Sequence, residues 1–220
     1  MNFRILLFSC MFLFVCSCKQ RFSKLESDKL LAYNKAIDEL ATKPTHPNNA
    51  DSILNTWKVF NRDAVVLADT NLNASVKYNL GRMYAQKNVD SSKFYLQQGL
   101  ELVEQGSDFL AVKARIYTGM GNLAYSETLE HQANYYYNKA AIIVLADSTV
   151  KLSDMSKAIM LLSASQSNKN LQQYSLAYKM DLAAFKLMPK LPPNSVNQQK
   201  VLVQLIIDIY KSNLPDKDVE

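Results

Sequence analysis

The chain has 220 residues, with 25 Lys and Arg against 20 Asp and Glu, five glycines, six prolines and three cysteines. Its formal charge of +5 is set at the N-terminus: residues 1–24 hold Arg4, Lys19, Arg21 and Lys24 and no acid, leaving 21 basic against 20 acidic residues, or +1, for the remainder. That balance excludes a nucleic-acid footprint, which needs basic charge clustered on the folded part, and so little glycine and proline argues against strands joined by tight turns.

Ile5 to Cys16 is apolar apart from Ser9, follows the lone charge of Arg4 and ends at small and charged residues, the pattern of a secretory signal. The run falls short of the ~20 residues that span a bilayer, and no later segment comes closer. Cys10, Cys16 and Cys18 all lie here. Val15-Cys16-Ser17-Cys18 resembles a bacterial lipobox: an aliphatic residue, two small ones and the cysteine that receives diacylglycerol. The resemblance implies a signal peptide over 1–17, a lipid anchor at Cys18 and a basic tether over 18–24 close to anionic headgroups. Ordinary signal cleavage is the alternative. A domain lipidated at Cys18 has no free thiol and no disulfide, so packing alone must stabilise it.

Proline is missing from Asn48 through Met188, and apolar residues recur at helical spacing, as in Leu30, Tyr33, Ile37 and Leu40 or Leu96, Leu100 and Val103. An all-α chain of about nine helices follows, over 25–42, 51–68, 73–87, 91–105, 109–128, 131–147, 154–168, 171–188 and 197–212. Asp51, Asp90 and Asp154 are the expected N-terminal caps. Short connections make successive helices antiparallel neighbours. The chain divides into an N-terminal helix pair (25–72), a repeat region (73–188), and a proline linker with a closing helix (189–220).

Within 73–188 the chain repeats itself. "NLGRMYAQ" at 79–86 and "GNLAYSE" at 121–127 each place a glycine in an apolar helix, and "KFYLQQGLEL" at 93–102 and "NYYYNKAAII" at 134–143 follow as partner helices. In a weaker third copy Ser163 takes the glycine position and "SLAYKMDLAA" at 175–184 the partner helix. Leu80-Gly81-Arg82-Met83-Tyr84, with Ser92, Leu96 and Gly99 after it and Ala133, Tyr137 and Ala140 in the next copy, resembles the tetratricopeptide repeat in a long-helix form. The resemblance implies an α-solenoid of antiparallel helix pairs. Gly81 and Gly121 would let each first helix approach its partner, and stacking of pairs would bury what one pair cannot.

Chemical motifs are sparse. "GMGNLA" at 119–124 matches a dinucleotide fingerprint, but that loop needs a strand before it, and here it lies in a helical run. His46 and His131 have no cysteine or carboxylate at metal-ligand spacing, and no nucleophile constellation is visible. Binding without turnover is therefore the expectation, with no metal or cofactor. Tyr135, Tyr136 and Tyr137 point about 100° apart on a helix and cannot form one platform, so Tyr137 should be core. Trp57 shares a helix side with Ile53, Leu54, Phe60 and Ala64 and should be packed.

The repeat resemblance places a concave groove on the first helices, at Tyr78, Arg82, Arg115, Thr118, Asn122, Tyr125, Lys157 and Met160, with Arg82, Arg115 and Lys157 set to meet carboxylates or an acidic extended peptide. It implies a lipid-anchored scaffold or adaptor that holds a protein or peptide partner in the cell envelope. The lipoprotein signal is similar to those of Bacteroidota, and the basic residues after Cys18 favour the periplasmic face of the outer membrane. Two alternatives are a ligand-binding lipoprotein of a glycan-uptake system and the sensory part of a membrane regulator carrying such repeats.

Overall fold

The computed structural model describes residues 24–42, 46, 48–104, 109–146 and 150–191, and positions 199, 203 and 207. The signal segment, Cys18 and the tether up to residue 23 lie outside the described residues, as does the closing helix apart from Gln199, Val203 and Ile207, which are helical and exposed. Nine α-helices make up the described chain: α1 (Lys24–Thr42), α2 (Ala50–Phe60), α3 (Ala64–Ala68), α4 (Thr70–Tyr84), α5 (Val89–Val103), α6 (Leu110–Ser126), α7 (Glu130–Ala146), α8 (Asp154–Asn170) and α9 (Tyr174–Leu187). A 3-10 turn over Met188–Lys190 ends the run, and no strand occurs among the described residues.

The caps lie beside the expected ones. Asn88 accepts from the Ser91 amide at 2.8 Å and Ser153 from Ser156 at 3.1 Å, while Asn49 precedes α2 and binds the His46 amide at 2.8 Å. Asp51, Asp90 and Asp154 fall one or two residues later, in the first turn, where a carboxylate meets the positive end of the helix dipole. The helix expected over 51–68 is broken after Phe60. Asp63 opens α3 by accepting from the Val65 amide at 2.9 Å, so its side chain competes with helix continuation. Asp63 also accepts from Tyr33 Oη at 2.5 Å, a bond that ties down α1, holds the carboxyl below its ordinary range and pushes the phenol up. Asp69 caps α4 through the Leu72 amide at 2.8 Å, so the expected boundary at 72/73 falls inside a helix.

Successive helices pack as hairpins, α4 with α5, α6 with α7 and α8 with α9, and α4 also reaches α6. Among the described residues three apolar clusters follow in order: one from α1 to α4 around Trp57, one in α4 to α6 around Leu96 and Ile116, and one from α6 to α9 around Tyr137 and Leu161. Each inner hairpin thus serves two cores, which is how stacked pairs bury surfaces that one pair cannot.

Glycine sets the approach of the helices. A Cβ on Gly81 would stand 2.6 Å from Leu96 Cγ, and one on Gly121 would stand 2.7 Å from Tyr137 Cδ1. The Tyr137 ring is buried and its hydroxyl is held by Asn122 at 2.8 Å, so it has little freedom to move aside. Gly121→Ala is expected to lower stability by about 1 kcal/mol, overpacking outweighing the gain in helix propensity; a urea titration measures it.

The third hairpin repeats the second with a period of 44. Thr128 and Gln172 both stand at φ 60° just after a first helix, and the amides of Leu129 and Gln173 return to the carbonyls of Ala124 and Asn168 at 2.9 and 2.8 Å. This is the six-to-one closure of a left-handed helix end. On that register Gly121 corresponds to Ser165, which is fully buried, and not to Ser163, which is half-buried. Ala133, Tyr137 and Ala140 correspond to Ala177, Asp181 and Ala184, all buried. A polar cluster binds the two hairpins: Asn134 Nδ2 donates to Asn168 Oδ1 at 2.8 Å, and Asn168 Nδ2 to Asn138 Oδ1 at 2.9 Å.

Candidate functional site

The groove residues separate into two ends. Tyr78 packs into the α4–α6 core, its ring 3.5 Å from where a Gly119 Cβ would stand. Further up, Gly99 sits between Ile116 and Ala74, so α4 and α6 run parallel. Arg82, exposed in the last turn of α4, is then level with Leu123. Arg115 lies eight residues before Leu123, about 12 Å away along the axis at 1.5 Å per residue. Arg82 therefore shares an end with Asn122 and exposed Tyr125, whereas Arg115 stands at the other.

Two expectations, for Met160 and Lys157, need correction. Met160 is core, 5% exposed, in the α6–α9 cluster. Thr118 turns its hydroxyl to the Ala114 carbonyl at 2.9 Å, and exposed Asn122 accepts from the Tyr137 hydroxyl at 2.8 Å, so each makes a hydrogen bond within the protein. Lys157 was placed by counting from Ser163; with Ser165 as the counterpart of Gly121, the residue equivalent to Arg115 is Ile159, and Lys157 sits half-buried in the first turn of α8.

What gathers around Arg115 is a cleft of about 530 Å³. α1 and α6 both pack on α4 and form its two walls, and Val150–Lys151, just before α8, closes one side. Asn34 and Asp38 line it from α1, Asn71 and Ser75 from α4, and Arg115 and Lys151 supply its cations. Leu72, Phe109 and Val112 make apolar ground between them. Among the described residues neither Arg115 nor Lys151 makes a hydrogen bond or ion pair. Arg115 is half-buried and Lys151 exposed, and the planar fork of the guanidinium suits a carboxylate. Asp38, Asn34 and Lys151 were not found by sequence reasoning: α1 carries no repeat motif to fix its register, and Lys151 lies in a connection.

Elsewhere the aromatic residues divide between core and surface. Tyr137 is core, Tyr136 stacks on Tyr117 at 6.4 Å, and exposed Tyr135 has Lys139 Nζ 5.4 Å from its ring centre. Trp57 is fully buried beside Phe60 at 5.9 Å. His46 and His131 are exposed, and Gly119 and Gly121 lie inside α6. Among the described residues no three His, Cys, Asp or Glu side chains gather at a metal-binding distance, and no helix is long and apolar enough to cross a membrane.

Burial, with a smaller contribution from Tyr125, pushes the Tyr137 phenol up to about 12. An unfolded tyrosine titrates near ~10, so folding favours the neutral form. The stability this lends is complete below about pH 10 and lost as pH rises toward 12. Phenolate absorbance should show one tyrosine ionising last, together with unfolding, and Tyr137→Phe should abolish that step.

No protein-family model matches the chain, and no curated protein is significantly similar to it.

Proposed function

We propose that this protein is a tetratricopeptide-like α-solenoid, exported and lipid-anchored through Cys18, that binds a protein or peptide partner in the cell envelope without turning it over. The observation that carries this is the cleft between α1 and α6, where Arg115 and Lys151 have no protein partner among the described residues. The close helix pairs at Gly81 and Gly121, and the recurrence of the helix-end closure at Thr128 and Gln172, support the repeat assignment. The partner contributes carboxylate to Arg115 and Lys151, and the apolar ground around Phe109 adds desolvated contact. The basic tether before α1 keeps the cleft near the membrane that carries the anchor.

Crosslinking and capture from solubilised native envelopes tests this. Arg115→Glu with Lys151→Glu should lose an envelope protein that the unmodified chain recovers, and Arg82→Glu, at the far end of α4, should keep it. Recovery unaffected at the cleft but lost with Arg82→Glu would move the partner to the other end. Circular dichroism of each variant guards against misfolding.

A further inference from the structure

The walls of the cleft carry opposite charge: Asp38 on α1, Arg115 on α6 and Lys151 beside it, with α4 as the floor between them. Helices packed on a common neighbour lie about 8–10 Å from it, so the axes of α1 and α6 are at most ~20 Å apart. With each helix and its side chains reaching ~5–6 Å from its axis, the gap between them is at most roughly 8–10 Å. Extended chain rises ~3.3 Å per residue, so two or three residues fill that gap. A volume of about 530 Å³ is in the range of small-ligand sites rather than of protein interfaces.

The floor has chemistry to match. Asn71 and Ser75 lie one turn apart on α4, and amide and hydroxyl side chains at that spacing can exchange hydrogen bonds with the peptide groups of a short extended chain. Asn34 donates its amide N–H to the Leu30 carbonyl at 3.0 Å, which leaves its side-chain oxygen as an acceptor near Asp38, one turn on. Acceptors thus collect on the α1 wall and cationic donors on the α6 wall.

We infer that the cleft takes a short peptide of two or three residues with both ends free, its ammonium at Asp38 and Asn34 and its carboxylate at Arg115 and Lys151. This rests on the reading that the cleft is the binding face, and it narrows the partner from a protein segment to a zwitterion. Two charged ends held on opposite walls set the ligand's length, and they reject a chain that continues past either wall.

Calorimetric titration of the detergent-solubilised full-length protein decides it, with trialanine, N-acetyl-trialanine, trialanine amide and hexaalanine as probes. Trialanine is expected to bind, and blocking either end, or doubling the length, to weaken binding at least tenfold. Arg115→Gln should remove the preference for a free carboxylate and keep that for a free ammonium; Asp38→Asn should do the reverse. Equal binding of the capped and free peptides would overturn the inference and leave the partner reading standing. Trialanine failing to bind while the envelope partner is still captured through Arg115 would do the same. Failure of both the peptides and the capture would bring down the binding face itself.

Discussion

Asp181→Ala is expected to cost about 3–5 kcal/mol, the effect of leaving a buried charge without its partner. Asp181 is fully buried on α9, and its Oδ2 accepts from Lys169 Nζ on α8 at 2.8 Å, with the lysine side chain 9% exposed. The variant should melt on the order of 10 °C lower. The period of 44 gives a sharper version of the test. Asp181 and Lys169 occupy the positions that buried Tyr137 and exposed Tyr125 hold in the preceding hairpin, and Ser165 stands where Gly121 admits the Tyr137 ring. Asp181→Tyr with Lys169→Tyr and Ser165→Gly, which clears the space that Gly121 leaves for Tyr137, should therefore recover most of what Asp181→Ala loses. Gln166, the counterpart of Asn122, is placed to accept from the new hydroxyl. A triple variant as unstable as the single one would show that the two hairpins do not share this register.

The same register explains where the sequence was readable. Gly81 and Gly121 could be found because a missing side chain is the one way two helix backbones approach so closely, and the contacts with Leu96 and Tyr137 bear this out. Serine is a weaker marker. Ser163 and Ser165 are both small and only burial separates them, so the third hairpin was read two residues early and Lys157 was assigned to a face it does not share with Arg115. The true marker of the register is the left-handed residue after each first helix. Thr128 and Gln172 fill it, and neither carries the glycine or asparagine signal that such a position usually gives. The break at Asn61 was hidden for a related reason: Asp63 caps α3 with one oxygen and accepts from Tyr33 of α1 with the other, a contact that only tertiary packing supplies. Half of the cleft was equally out of reach, since α1 meets α4 through tertiary packing and not through any repeated pattern.

Trp57→Ala should cost about 3–5 kcal/mol at the opposite end of the molecule, as expected for truncating a fully buried aromatic. Trp57 joins Ile53 and Leu54 of α2, Val66 of α3 and Leu72, Val76 and Leu80 of α4, and its ring meets Phe60 edge to face. None of these side chains belongs to the cluster that holds α8 and α9. In a stack where each pair touches only its neighbours, the damage stays local. Amide exchange in Trp57→Ala should quicken across α1 to α3 and remain slow in α8 and α9; in Asp181→Ala the pattern should invert. Trp57, the chain's single tryptophan, reports the second case directly. Its fluorescence in Asp181→Ala should keep the unmodified protein's urea midpoint while the helical signal begins to fall earlier. Coincident midpoints would mean that the Asn134, Asn138 and Asn168 cluster binds the hairpins too tightly for one to open alone. The cleft, built from α1, α4 and α6, would then sense a lesion at α9 as loss of peptide binding. With separate midpoints, Asp181→Ala should bind its ligand with unchanged affinity at temperatures where α9 has already opened.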